Sequence, residues 1–168
     1  MGRAAPITFI GRPKDDRYEL KNPYGHEFSI SLTIRGEQVD PAAVTTLLGT
    51  KPTRAWVKGE QLRPRHPAKS AGWVFTLHPP ENDREWADLS DGLTHALEQF
   101  EAHRADIQGL AKKCDVCWVV GHFQSTFNGG WMFSPELLRK LAEFGIDIGF
   151  DNYFHHEHSG NEASKEHS

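Results

Sequence analysis

The sequence predicts an α+β fold, a two-layer sandwich in which helices cover one face of a mostly antiparallel or mixed sheet. Two segments, around Phe28 and Ile146, alternate apolar and polar residues as strands with one buried face do. A doubly wound parallel sheet would need continuously apolar strands instead. An amphipathic stripe from Trp86 to Leu110 predicts the helix that covers the sheet. The more specific expectation is a ferredoxin-like arrangement with additions.

The first strand and the first helix are marked by alternation and by caps. Residues 28–35 alternate apolar with polar side chains, so a strand is predicted there. Asp40 then offers an N-cap carboxylate, and Pro41 suits the first helical position because its φ is already helical. Gly49 is placed to end this short helix as a C-cap.

The middle of the chain predicts two strands and a long helical region. One strand is expected over residues 54–58 and another over residues 73–78, after which Pro79 forbids further ladder pairing. The helical stripe follows, with Gly92 and Gly109 as the points where the helix is expected to bend or restart.

The last part of the chain predicts a hairpin and a second capped helix. A strand over residues 115–123 leads to a turn at residues 128–130, so residues 131–133 are expected to return as its partner. Ser134 caps a helix that Gly145 ends, and a strand over residues 146–150 follows.

Composition favours one domain with two irregular ends. A chain of 168 residues can bury a core without a metal or a disulfide. We expect an irregular N-terminal arm over residues 1–25, a single α+β domain over residues 26–154 and a disordered His-rich tail over residues 155–168. Neither a signal peptide nor a run of about 18 apolar residues is present, which predicts a cytoplasmic protein with no membrane partner.

The segment from Gly49 to Trp73 has a charge opposite to that of the whole chain. It holds six cations and one anion, a net charge of +5, whereas the full chain has a net charge of -4. Cations on a surface loop stay in contact with solvent, so they can bind a phosphate or a carboxylate without the cost of a buried, unpaired charge. We therefore predict a site for an anion or a protein partner, formed by Lys51, Arg54, Trp56, Lys58, Arg63 and Arg65.

The cations of this segment could instead be neutralised by carboxylates of the same chain. Residues 81–106 carry eight carboxylates and two arginines. If this acidic helical region packs beside the basic segment, the two neutralise each other and no external anion is needed.

Patterns for catalysis and metal binding are weak. The chain has no G-x-S-x-G, H-E-x-x-H or phosphate-cradling glycine motif, and we predict no cofactor and no metal site. Cys114 and Cys117 have the C-x-x-C spacing, but the predicted strand places their sulfurs on opposite faces. An acid–base site could still be assembled from distant residues, for which the candidates are His78, His122, Asp147 and Asp151.

Two functional hypotheses follow from the basic segment. The first is a non-enzymatic interaction module that binds a protein partner through Arg54, Trp56 and Lys58, because Trp and Arg are favoured anchors at interfaces. The immunity proteins that neutralise bacterial toxins are one such use, by analogy of size and compartment. The second is an enzyme or sensor for a small anionic metabolite. The negative net charge argues against nucleic acid as a partner.

Four stretches carry a resemblance to a known family. They are the strand FSISLTIRGE, the helix end LLGTKPT with Trp56-Val57-Lys58-Gly59 downstream, the strand GWVF and the closing stretch SPELLRKLAEFGIDIGFDNY. Together they resemble a bacterial domain of unknown function, family number 4279, over about residues 26 to 154. The resemblance implies a compact α+β domain and brings no activity, cofactor or catalytic residue with it.

Overall fold

The computed structural model describes residues 26–63, 66–80, 85–124 and 130–154. The predicted arm over residues 1–25, the predicted tail over residues 155–168 and the site residue Arg65 lie outside the described residues. In the described ranges, no helix is both long enough and apolar enough to cross a bilayer.

The described chain contains seven strands and four α-helices. A short 3₁₀ turn, Glu101–His103, connects the second and third helices. The elements are β1 His26–Gly36, α1 Pro41–Leu48, β2 Arg54–Trp56, β3 Gln61–Arg63, β4 His66–Pro67, β5 Ala71–Leu77, α2 Leu89–Phe100, α3 Arg104–Ala111, β6 Asp115–Gln124, α4 Pro135–Glu143 and β7 Asp147–Phe154.

Five strands form one mixed sheet in the order β2-β5-β1-β6-β7, and β3 pairs with β4 in a small second sheet. The central strand β1 is antiparallel to both of its neighbours, β5 and β6. These two neighbours therefore run in the same direction, and α2 and α3 connect them across β1 as a split β-α-β unit. Strand β7 lies parallel to β6 after the crossover through α4. The predicted α+β sandwich with a mixed sheet is confirmed.

One face of the sheet carries the hydrophobic core. Ile30, Leu32 and Ile34 of β1 are completely buried, and the register sets Leu32 between Phe75 of β5 and Trp118 of β6. The buried residues of all four helices belong to the same cluster, so the helices pack on this face. The opposite face, which we call the outer face, carries the alternate residues of β1.

The predicted caps are confirmed. Asp40 Oδ1 accepts a hydrogen bond from the backbone N–H of Ala42 at 2.9 Å, and Gly49 ends α1 with φ 58°. Ser134 Oγ accepts from the N–H of Leu137 at 3.1 Å at the start of α4. These caps satisfy backbone groups that the first and last turns of a helix leave unpaired.

The predicted break points of the long helix are wrong. The helix is interrupted at Glu101–His103, whereas Gly92 lies inside α2 and Gly109 inside α3. Trp86 precedes the helix and pairs through its backbone with Phe28, by bonds of 2.9 and 2.7 Å. Gly92 lets α2 approach β1 closely, because a Cβ built there would lie 2.4 Å from Ile30 Cδ1.

The return strand predicted after β6 is also wrong. Residues 131–133 form no strand. The physical reason is that β6 already has a partner on each side, with β1 bonded to one edge and β7 to the other. A third partner has no backbone groups left to bond.

The two helical glycines make a matched stability test. Gly92→Ala should lower the free energy of unfolding by about 1–3 kcal/mol, because the added methyl overpacks against Ile30 and the Trp86 ring. Gly109→Ala should raise it by roughly 0.5–1 kcal/mol, because nothing lies within 4 Å of that Cβ and alanine favours the helix. Urea unfolding followed by circular dichroism measures both, and equal effects in the two variants would contradict the packing described.

Candidate functional site

The strongest candidate site lies on the outer face, at the edge of the sheet formed by β2. Antiparallel pairing with β5 sets Arg54 opposite Val74 and Trp56 opposite Gly72. Because β1 pairs with the other side of β5, Thr33 falls in the row of Arg54, and Arg35 falls in the row of Trp56. Side chains alternate along strands, so Arg35 and Arg54 share the outer face with Trp56.

Trp56 lies flat over a glycine. Its side chain is only 6 % exposed, and its Nε1–H donates to the backbone carbonyl of Ser70 at 3.0 Å. A Cβ built on Gly72 would lie 2.2 Å from Trp56 Cζ2, so only glycine allows the indole to approach the strand this closely. Trp56 is therefore a buried platform and offers little surface of its own to a partner.

Two guanidinium groups use this platform. The Cζ atoms of Arg35 and Arg54 each lie 5.5 Å from the centroid of the Trp56 ring, within cation–π range. Burial lowers the pKa of Arg35 and the nearby charge of Arg54 lowers it further, while Cys117 and Asp115 act in the opposite direction. Among the described residues, neither arginine forms an ion pair with a carboxylate. The ring thus holds two like charges close together.

The other predicted site residues that the structure describes lie elsewhere than the cluster of Arg35, Arg54 and Trp56. Lys58 forms an ion pair with Glu37 at 3.0 Å, so its charge is balanced inside the molecule. Lys51 is exposed on the connection between α1 and β2. Arg63 belongs to β3 of the small second sheet.

The basic segment after β2 contains the two short antiparallel strands β3 and β4. Backbone bonds of 2.8 Å join the N–H of Gly59 to the carbonyl of Ala68 and the N–H of Ala68 to the carbonyl of Glu60. Gly59 has φ 88°, a left-handed conformation that favours glycine. Glu60, the anion of the basic segment, accepts the backbone N–H of Val57 through its carboxylate at 3.0 Å.

Three carboxylates of the acidic helical region, those of Asp88, Glu101 and Asp106, have partners within that region. Asp88 accepts backbone N–H groups as the N-cap of α2. Glu101 pairs with Arg104 at 3.3 Å, and Asp106 lies 3.5 Å from His103. The helices cover the inner face, whereas Arg54 lies on the outer face of the sheet.

Sequence reasoning missed Arg35. It occupies a polar position in the alternation of the first predicted strand, where an exposed residue is the ordinary expectation. Arg35 could have been identified as the one cation among the polar positions of this strand, which are otherwise occupied mainly by Ser and Thr. Its closeness to Arg54 depends on pairing between strands far apart in sequence, which alternation alone does not reveal.

The four acid–base candidates do not converge. The register pairs Asp147 with Cys117 and Asp151 with Gly121, which places both carboxylates on the outer face. His122 pairs with Phe28 on the inner face. His78 is exposed just beyond the end of β5. No proton-transfer site is formed by this set.

His122 instead forms a hydrogen-bonded chain with other residues. Its Nδ1 lies 3.0 Å from Asn152 Oδ1 and its Nε2 lies 2.9 Å from His26 Nδ1. The amide oxygen can only accept, so Nδ1 of His122 carries the proton and Nε2 accepts from His26. The ring is 2 % exposed and is stacked on Phe28 and edged by Trp131. Burial lowers the pKa of His122.

The two cysteines lie in different environments. Cys114 packs against the core on the helix-covered side, and its thiol donates to the carbonyl of Leu110 at 3.2 Å. Cys117 pairs with Thr33 on the outer face and is buried, and burial raises its pKa to about 11. Both are free thiols.

Fold and site together define a compact two-layer α+β domain with a helix-covered face and a polar outer face that carries a cationic edge. The family model described as Domain of unknown function (DUF4279) matches residues 26–155, so the chain belongs to this family. The resemblance read from the sequence motifs is thereby confirmed. No curated protein and no solved structure matches the chain.

The buried histidine predicts a pH dependence of stability. The folded state holds His122 neutral, so its stabilising contribution is complete above the unfolded pKa of about 6.5 and is lost as pH falls through the lowered folded pKa. The melting temperature should fall between pH 7.5 and 5.0. His122→Gln should be less stable at pH 7.5 and should lose part of this pH dependence.

His66→Gln is the matched control, because His66 is exposed on the hairpin strand β4. It should keep the wild-type dependence on pH. A His122→Gln profile parallel to the wild-type profile would contradict the assignment of a neutral His122.

Proposed function

We propose that this chain is a non-enzymatic interaction module that recognises an acidic protein partner through the β2 edge of its outer face. The observation that carries the proposal is the pair formed by Arg35 and Arg54, which share one buried indole and have no carboxylate partner among the described residues.

This arrangement suits recognition because its geometry exists before a partner arrives. Trp56 is fixed by its hydrogen bond to Ser70 and by its contact with Gly72, so the arginines that stack on it lose less freedom on binding. Arginine is over-represented among residues that dominate binding energy, and its planar fork matches a carboxylate. The role of Trp56 is to position the two guanidiniums.

The surroundings extend the cationic surface. Lys51 is exposed on the preceding connection, and the hairpin of β3 and β4 follows β2 directly along the chain. The net charge of -4 for the whole chain favours an acidic protein surface over nucleic acid, whose dense phosphates would be repelled by the rest of the molecule. A module of this size that masks another bacterial protein, as immunity proteins do, fits this description by analogy.

A small anionic metabolite is the second candidate for this surface. It is favoured by one observation: the described residues offer no hydrogen-bond partner to the buried Thr33 hydroxyl and Arg35 Nε–H on the outer face. The acid–base candidates lie on different faces, so a sensor is supported better than an enzyme.

Reversal of one charge tests the protein-partner proposal. Full-length chain immobilised on resin should retain one stoichiometric protein from the native lysate at low salt, and Arg54→Glu should reduce retention at least tenfold, because the reversed charge repels an acidic partner. Rising salt should weaken retention by the wild type, since exposed charges are screened. Quantitative mass spectrometry of the eluates measures both effects.

Arg139→Glu is the matched control for this experiment. Arg139 is 61 % exposed on α4, in the helical layer, and its substitution changes the net charge by the same amount. It should retain the partner as the wild type does. Equal loss in both variants, or an empty wild-type eluate at every salt concentration, would contradict the proposal.

A further inference from the structure

Two buried donors on the outer face have no hydrogen-bond partner within the part of the chain that the structure describes. They are the hydroxyl of Thr33, in a side chain that is 1 % exposed, and the Nε–H of Arg35. Trp118 Nε1 is likewise unpaired, but it lies in the helix-covered core. A buried donor without an acceptor is destabilising, and more so when the group is charged, so such groups are normally satisfied.

The two donors lie side by side on one strand. Thr33 and Arg35 are two residues apart on β1 and point to the same face. Across the sheet, Val74 lies between Thr33 and Arg54 in one row, and Gly72 lies between Arg35 and Trp56 in the next. Only Val74 and Gly72 of β5 therefore stand between these two residues and the β2 strand that carries Arg54.

The charges around Arg35 do not compensate it fully. Cys117, beside Thr33 in the register, is a neutral thiol at pH 7 because burial raises its pKa to about 11. Asp115 is opposite Arg35 on β6 but forms no ion pair with it. Arg54 adds a second positive charge nearby.

An oxyanion would satisfy both donors and both charges. A carboxylate offers two oxygens in one plane, which can accept from a guanidinium and from a hydroxyl at once. The Thr33 hydroxyl and the Arg35 Nε–H are closed to solvent, so a carboxylate reaches them only when neighbouring side chains on the outer face shift. Once it is bound there, the exclusion of water strengthens the attraction between opposite charges.

We propose that Thr33, Arg35 and Arg54 form a carboxylate-binding subsite. The inference rests on the proposed function and deepens it: the subsite takes the carboxylate of an Asp or Glu side chain of the acidic partner. A free dicarboxylate metabolite has the same chemistry, and the two sources differ in whether neighbouring peptide contacts add affinity.

The test uses the Nε–H resonances of arginine in the ¹⁵N-labelled full-length chain. A hexaglutamate peptide with blocked ends and the free dicarboxylate succinate are the probes. The Arg35 signal, assigned with Arg35→Lys, should shift saturably, and Thr33→Val should weaken binding about tenfold, the effect of losing a hydrogen bond to a charged group. Tighter binding of the peptide identifies a protein carboxylate, and tighter binding of succinate identifies a metabolite and overturns the stated source.

The free protein distinguishes a ligand contact from a structural one. Thr33→Val removes an unsatisfied hydroxyl without changing the side-chain shape, so its melting temperature should equal or exceed that of the wild type. Thr33→Ser keeps the hydroxyl and should bind both probes like the wild type. An Arg35 signal that neither probe moves, unchanged binding by Thr33→Val, or a lower melting temperature for that variant would each overturn the subsite.

Failure of this inference is separable from failure of the proposed function. If Thr33→Val has no effect on binding while Arg54→Glu still abolishes retention of the partner, the subsite is wrong and the interaction surface stands. If Arg54→Glu also has no effect, both are wrong.

Discussion

The double pairing of β1 is the constraint on which the rest of the structure depends. This strand is hydrogen-bonded on both sides, by β5 and by β6, and its residues alternate between two different environments. Ile30, Leu32 and Ile34 face the helices and are completely buried, while Thr33 and Arg35 face outward. A slip of one residue would exchange the two sets, so the apolar face sets the register and thereby places the polar site.

The cationic edge follows from one glycine in that register. Because Gly72 has no Cβ, the Trp56 indole can lie against β5 and form the surface on which Arg35 and Arg54 stack. The two arginines are 19 residues apart in the sequence, and they meet only because β5 joins β1 to β2.

The inner face of the sheet also carries a group of polar side chains, the hydrogen-bonded chain centred on His122. His122 connects β1 through His26 and β7 through Asn152, and Trp131 from the segment before α4 covers the ring. Each ring nitrogen of His122 has a partner, whereas the Thr33 hydroxyl and the Arg35 Nε–H on the outer face have none among the described residues. Satisfied groups of this kind specify structure, and unsatisfied ones are more informative about binding.

The sequence by itself determined the local structure: the alternation of β1, the caps at Asp40 and Ser134, and the glycines that end α1 and α4 were all readable, because each depends on neighbouring residues alone. It also marked Arg54 and Trp56 through the local excess of cations. Only the tertiary structure decided that Lys58 is paired with Glu37, that residues 131–133 form no strand, and that Arg35 stacks on the same indole ring as Arg54. These outcomes depend on which strands occupy each edge of the sheet, and pairing between residues distant in sequence leaves no periodic trace in a single chain.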